Sequence, residues 1–171
     1  VSPMFARNRL PIGYFELNTV GTITGGTTEL DLWNAEATGV ITTDKGSIAW
    51  RSLVHTDRML IITELTPSEG EKACRWVWHA EPAVSPRYAR QAEKDREPYE
   101  LNPDPVQSTQ GDVTLCTQRL LAGGETVTAW REDSSENGRR LFVSVAHTFP
   151  KQNAAKEAVG DVQGRLHDVN V

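Results

Sequence analysis

The residues that could do chemistry are few and scattered. Glu64 lies inside the apolar run Met59 to Leu65, where burial would raise its pKa and make it a candidate general acid. A partner such as Arg51 or Arg58 would instead explain it as a structural ion pair. The chain has 23 acidic residues, so a carboxylate pair at the ~5–10 Å used in glycoside cleavage could exist, but sequence spacing does not pick it out. Histidines stand at 55, 79, 147 and 167 with no H-x-x-x-H pair, which leaves no metal-ligand spacing. No G-x-S-x-G, P-loop or G-x-G-x-x-G occurs, so nucleophile and nucleotide chemistry have no motif behind them. Five tryptophans, at 33, 50, 76, 78 and 130, are many for a chain with 7% aromatics. Indole faces stack on sugar rings and equally fill cores. Trp76 and Trp78 share one strand face with Cys74, which weighs toward core. No cofactor is expected.

Composition narrows the partners. Eighteen Lys and Arg against 23 Asp and Glu give a net charge of −5 without charged blocks, so the basic footprint of a nucleic-acid binder is missing. No apolar run approaches the ~20 residues of a membrane span. At 171 residues the chain is about one domain and can bury roughly two thirds of its unfolded surface without staples. Cys74 and Cys116 fall in strand patterns, outside any C-x-x-C, and are expected as buried free thiols. The chain opens Val-Ser-Pro without an initiator Met and ends in a helical stripe, so it is expected to be a domain of a longer polypeptide whose compartment is not legible.

The elements that must position these residues are mostly strands. Over 48–55, Ile48, Trp50, Ser52 and Val54 point one way and Ala49, Arg51, Leu53 and His55 the other, the period-2 pattern of a half-buried strand. Met59 to Leu65 suits a central strand covered on both faces. Further strands are expected over Leu10–Asn18, Glu29–Trp33, Ala37–Thr43, Ala73–His79, Asp112–Leu120, Glu125–Arg131 and Arg139–Thr148, with Thr19–Thr27 as a glycine-rich turn and Asp44-Lys45-Gly46 closing a hairpin. Some nine strands in one domain imply two packed antiparallel sheets. Residues 80–110, with five prolines, form a long excursion that either lines a site or is a solvated loop. Ala154 to Val169 has the stripe of an amphipathic helix with Asn153 as its cap, marginal unless that stripe is packed, because Gly160 and Gly164 weaken it.

The order LPIG at Leu10 to Gly13, DLWN at Asp31 to Asn34, the strand Gly46-x-Ile48-x-Trp50-Arg51-Ser52-x-Val54-His55-x-Asp57 and LIITEL at Leu60 to Leu65 resembles the N-terminal domain of bacterial family 95 (α-L-fucosidase-like) glycoside hydrolases, over roughly residues 8–150. The resemblance implies an all-β, galactose-mutarotase-like supersandwich over 1–150, and a linker helix over 151–171 leading to an (α/α)6 barrel. It also implies secretion or periplasmic residence. Catalysis would lie in the barrel, so this segment would hold no catalytic residue. It would brace the barrel and lend loops to the sugar site, with Trp33, Asn34, His79 and Arg87 as substrate-binding candidates. The same architecture resembles aldose mutarotases, in which His55 or His147 with Glu64 would do acid-base work. A free-standing carbohydrate-binding module is the third reading, and it requires exposed tryptophan.

Overall fold

Leu141 and Val143 of one strand belong to one hydrophobic cluster, while Phe142 and Ala146 of the same strand belong to another. That alternation is the signature of a sheet covered on both faces. The computed structural model describes residues 10–90, 100–136, 138–150 and 153–164, without the side chains of residues 87 and 89. Among these residues the fold is all-β: ten strands in two antiparallel sheets, with one longer helix near the C-terminus.

The strands are β1 (Gly13–Asn18), β2 (Ile23–Asp31), β3 (Glu36–Thr43), β4 (Ser47–Val54), β5 (Leu60–Pro67), β6 (Arg75–Ala80), β7 (Val106–Gln110), β8 (Val113–Arg119), β9 (Glu125–Ser135) and β10 (Gly138–Thr148). The α-helices are a single turn, α1 (Pro86–Ala89), and α2 (Ala154–Gln163), and a 3-10 turn spans Glu69–Glu71 between β5 and β6. The large sheet has eight strands in the order β2-β3-β4-β5-β10-β9-β8-β7, and the small one pairs β1 with β6.

The small sheet lies on one face of the large one. Phe15, Leu17, Trp76 and Trp78 pack against Cys116, Trp130, Leu141 and Val143, and against Ile48, Leu65 and Cys74. Helix α2 lies on the other face. Its Ala154, Ala158, Val159 and Val162 are buried with Leu60, Ile62, Val113, Leu115, Val127, Ala129, Phe142 and Ala146. The stripe that the sequence leaves marginal is thus covered by β8, β9 and β10, and the helix is part of the main core. Its first turn is not capped as expected. Asn153 makes no side-chain cap bond, and the buried carboxylate of Glu125 accepts the Ala154 amide at 3.0 Å instead, a cap delivered from a strand rather than from the preceding residue. Ser144 Oγ donates to Asp161 at 3.1 Å and ties the far end. Residues 165–169 of the expected helix lie outside the described part.

Several boundaries differ from expectation. Strand β7 (Val106–Gln110) and the turn α1 lie inside the segment 80–110 expected as an irregular excursion, and β1 begins at Gly13 rather than Leu10. Ile23 to Thr27 belongs to β2 rather than to a turn, because Gly25 and Gly26 sit just after a bulge at Ile23/Gly25, where glycine is tolerated. At the other end β2 stops at Asp31, and Leu32 to Ala35 turn. β5 is central, between β4 and β10, yet Ile61 is exposed while Leu60, Ile62 and Leu65 are buried. The cover on its small-sheet face is therefore partial.

The buried carboxylate of Glu71 organises the corner where the chain crosses between sheets. It accepts Thr43 Oγ1 at 2.6 Å, the Gly21 amide at 2.8 Å and the Val20 amide at 2.8 Å. Thr43 Oγ1 in turn accepts the Lys45 and Gly46 amides, at 3.1 and 3.0 Å, and Asp44 accepts the Thr22 amide at 2.8 Å. A Cβ at Gly21 would collide with Asp44 Oδ1, Thr43 Oγ1 and Glu71 Oε1. The Thr43 hydroxyl above all, then the Val20 and Gly21 amides, hold the Glu71 carboxyl below its ordinary value against the opposing effect of burial. A folded value below the unfolded one gives stability that is complete above the unfolded pKa and is lost as pH falls through the folded value.

Two outcomes follow. Between about pH 7 and pH 3, Glu71→Gln loses less urea stability than the wild type does, because the variant lacks this proton-linked contribution; parallel curves would show that Glu71 carries none. Val162→Ala, deleting two methyls from a side chain that is 1% exposed, lowers unfolding free energy by about 2 kcal/mol, measured by urea denaturation.

Candidate functional site

The expected acid is not free. Glu64 faces the helix side of the large sheet, opposite Arg51 on β4 and Arg140 on β10. Arg140 Nε donates to its Oε1 at 2.6 Å, and Arg51 Nη1 lies 3.5 Å from its Oε2. Arg51 also reaches Glu36 on β3 at 2.6 Å. That hydrogen bond is the main reason the Glu36 carboxyl is held below its ordinary value and the Arg51 guanidinium above its own. Farther along the same face Arg131 sits 3.3 Å from Asp133 and 3.6 Å from Asp112, its guanidinium 4.9 Å over the Phe142 ring. These groups form a ladder of cross-strand ion pairs, beside an open groove of about 330 Å³ lined in part by Glu64, Thr66, Ser135, Arg139 and Arg140. Within the ladder each carboxylate is paired with arginine, an arrangement that satisfies the polar groups of this sheet face across strands.

The histidines do not join it. His147 lies on the opposite face of β10 from Arg140, beside Thr126 at 3.1 Å. His55 is four residues past Arg51, roughly 13 Å along the strand, and its Nδ1 accepts the Asp57 amide at 3.1 Å. Neither is paired with Glu64, so the acid-base pair of a mutarotase is not assembled. His167 lies outside the described residues. Among the described residues no group of three or more His, Cys, Asp or Glu is placed to hold a metal ion, and no helix is long and apolar enough to cross a membrane.

The four binding candidates occupy three places. Trp33 and Asn34 share the β2–β3 turn. His79 is on the outer face of the small sheet, stacked on Tyr14 with ring centroids 4.9 Å apart and its Nε2 2.8 Å from Glu16. Arg87 is in α1, its side chain outside the described part. Among the described contacts nothing links the turn to His79. The long excursion is pinned at both described flanks: Asn102 donates to the Ala83 carbonyl at 2.8 Å and accepts the Leu121 amide at 3.0 Å, while Gln118 donates to the Pro103 carbonyl at 2.6 Å. Residues 91–99 lie outside the described set.

The turn is the most developed of these places. Asp31 Oδ1 accepts the amides of Trp33 at 2.9 Å and Asn34 at 3.1 Å, and Oδ2 accepts Asn34 Nδ2 at 2.6 Å. Ala35 takes a positive φ of 52° to re-enter β3, a conformation that costs a non-glycine residue energy and persists where the surroundings impose it. The Asn34 amide and side chain, with the Trp33 amide, hold the Asp31 carboxyl below its ordinary value. The result is an Asx-type turn that presents Trp33 at 93% exposure and leaves Asn34 Oδ1 open to solvent as an acceptor. The other four indoles pack between the sheets: Trp130 is buried, and Trp50, Trp76 and Trp78 are half-buried against the clusters. The Asp31-x-x-Asn34 spacing was the available signal for this turn. Sequence reasoning missed the ladder, although Glu64 was singled out with Arg51 as its partner. Cys74 and Cys116 are free and buried, and burial pushes both thiols up.

No protein-family model and no curated protein sequence matches the chain.

The tryptophan environments give a direct check. Acrylamide quenches a red-shifted fraction of the fluorescence that Trp33→Phe removes, leaving a blue-shifted, weakly quenched remainder; an unchanged quenchable fraction would place the accessible indole elsewhere.

Proposed function

We propose that the chain is a non-catalytic β-sandwich module that holds carbohydrate at the β2–β3 turn, as the accessory domain of a sugar-cleaving hydrolase. The observation that carries this reading is Trp33, exposed over 93% of its surface on a turn that Asp31 has already ordered. Core filling accounts for the other four indoles and leaves this one without a structural task. A solvent-facing indole on an ordered turn offers an apolar face to the CH groups of a pyranose ring, and the adjacent Asn34 amide oxygen can accept a hydroxyl. Because the turn is held in place beforehand, little ordering entropy is lost on binding.

The accessory role draws on the family 95 resemblance and on the same end of the large sheet. The β2–β3 and β4–β5 turns lie side by side there, and Leu30, Leu32, Val54, Met59 and Ile61 are exposed around them. Such an apolar end suits a neighbouring helical domain, which it would brace while Trp33 reaches toward the sugar. The pairing of Glu64 with Arg140 and Arg51 supports a binding role over an acid-base one. A free-standing carbohydrate-binding module is the second reading, favoured by the same exposed Trp33 and differing only in the absence of a catalytic domain alongside.

The test is calorimetric titration of the full chain with a panel of soluble fucosylated and galactose-based polysaccharides. Binding to at least one, weakened about tenfold or more by Trp33→Ala with the melting temperature retained, is the expected result. No binding across the panel, or binding indifferent to Trp33→Ala, would overturn the assignment.

A further inference from the structure

Resting on the assignment of sugar to the Trp33 turn, we infer that Asp31, Glu36 and Glu29 make that site selective for uncharged glycans and exclude chains that carry uronate or sulfate groups. Asp31 ends β2, Glu36 begins β3, and the two stand directly opposite each other at the base of the turn. Asp31 Oδ1 is 2.9 Å from the Trp33 amide, so its carboxylate lies against the backbone of the residue that carries the indole. Glu29 is exposed on the same face of β2, two residues back and roughly 7 Å along the strand. The cation beside these groups is Arg51, which is paired with Glu36 at 2.6 Å and shared with Glu64 at 3.5 Å. Among the described residues neither Asp31 nor Glu29 has an ion-pair partner. Arg58 of the β4–β5 turn lies at the end of α2, where a Cβ on Gly164 would meet its guanidinium.

The two carboxylates at the base of the turn are ionised at neutral pH. Asn34 and the Trp33 amide hold Asp31 below its ordinary value, and the Arg51 hydrogen bond does the same for Glu36 against the opposing charge of Asp31. A pyranose ring stacked on the indole lies within about 10 Å of the Asp31 carboxylate, about one Debye length at 0.1 M salt. A neutral ring is indifferent to that field. A uronate or sulfate on the same ring meets three carboxylates against one shared guanidinium, which in water weakens binding about fivefold at low salt. The chain as a whole, at a net charge of −5, adds to this repulsion rather than offsetting it. Affinity and selectivity are thus divided: the Trp33 indole supplies the attractive contact, and the carboxylates beside it act only against the wrong ligand.

The test is calorimetric titration of the full chain with the neutral fucosylated and galactose-based polysaccharides, each beside a copy whose primary hydroxyls have been oxidised to carboxylates. Ring and linkage are kept and only the charge changes. In about 10 mM salt, where the Debye length is about 30 Å, the neutral form binds at least about fivefold more tightly. In about 1 M salt, where it is about 3 Å, the ratio falls to within about twofold. Asp31→Asn keeps an oxygen acceptor for the turn amides, and Glu29→Gln is exposed and outside the turn; each narrows the low-salt ratio about twofold with the melting temperature retained. Oxidised chains that bind through Trp33 as tightly as neutral ones, or a ratio indifferent to salt and to both variants, would overturn the selectivity and leave the sugar assignment standing. Binding of neither form, or binding that Trp33→Ala leaves unchanged, overturns the sugar assignment and this inference with it.

Discussion

The rest of this structure depends on one buried carboxylate. The chain leaves the small sheet for the large one after β1 and returns to it before β6, and both crossings pass Glu71. Its two oxygens collect the Val20 and Gly21 amides from the first crossing and the Thr43 hydroxyl from the β3–β4 turn, while its own backbone belongs to the second. A buried charge is costly unless its hydrogen bonds are supplied. Here two amides and a hydroxyl supply them, and their donors come from segments that are about 50 and 28 residues away in the chain. The seat of β1 and β6 over Trp50, Leu65 and Trp130 is fixed at this corner.

From that seat follows the division of labour across the large sheet. One face gives its apolar residues to the small sheet, and the other gives them to α2 along β8, β9 and β10. Where α2 does not reach, the second face continues as the Glu36–Arg51–Glu64–Arg140 ladder, polar groups satisfied by one another across strands. Where the small sheet does not reach, the first face ends in exposed Leu30, Val54 and Ile61. The Trp33 turn, ordered by Asp31, stands at that uncovered end and carries the one indole of the five that packing leaves exposed.

The sequence made the well-covered parts legible. β4 could be read to within one residue at each end, 48–55 against the observed Ser47–Val54, because Ile48 and Trp50 are packed on one side and Arg51 is paired on the other, so burial imprints the period-2 pattern. β9 and β10, covered on both faces over much of their length, were legible as runs of apolar and β-branched residues bounded by turn residues. β2 was half missed: with neither face covered it carries no alternation, and its glycines looked like a turn. Trp76 and Trp78 were placed correctly in the core by their shared face with Cys74. Trp33, by contrast, shows its exposure only through the Asp31 to Asn34 turn. Glu71 gave no signal at all, since its partners are distant in sequence and an acidic residue after Pro67 reads as solvated. The cap on α2 failed in the same way, because Glu125 arrives from β9 and not from the neighbouring Asn153.

The most direct measurement of the central claim is the carbon-13 chemical shift of the Glu71 carboxyl, followed with pH in the folded full chain. A carboxyl seated on the Thr43 hydroxyl and two amides titrates below the ordinary value for glutamate, and Thr43→Val moves that midpoint upward while the protein stays folded. A midpoint at or above the ordinary value, or one indifferent to Thr43→Val, would contradict the account of how the two sheets are joined.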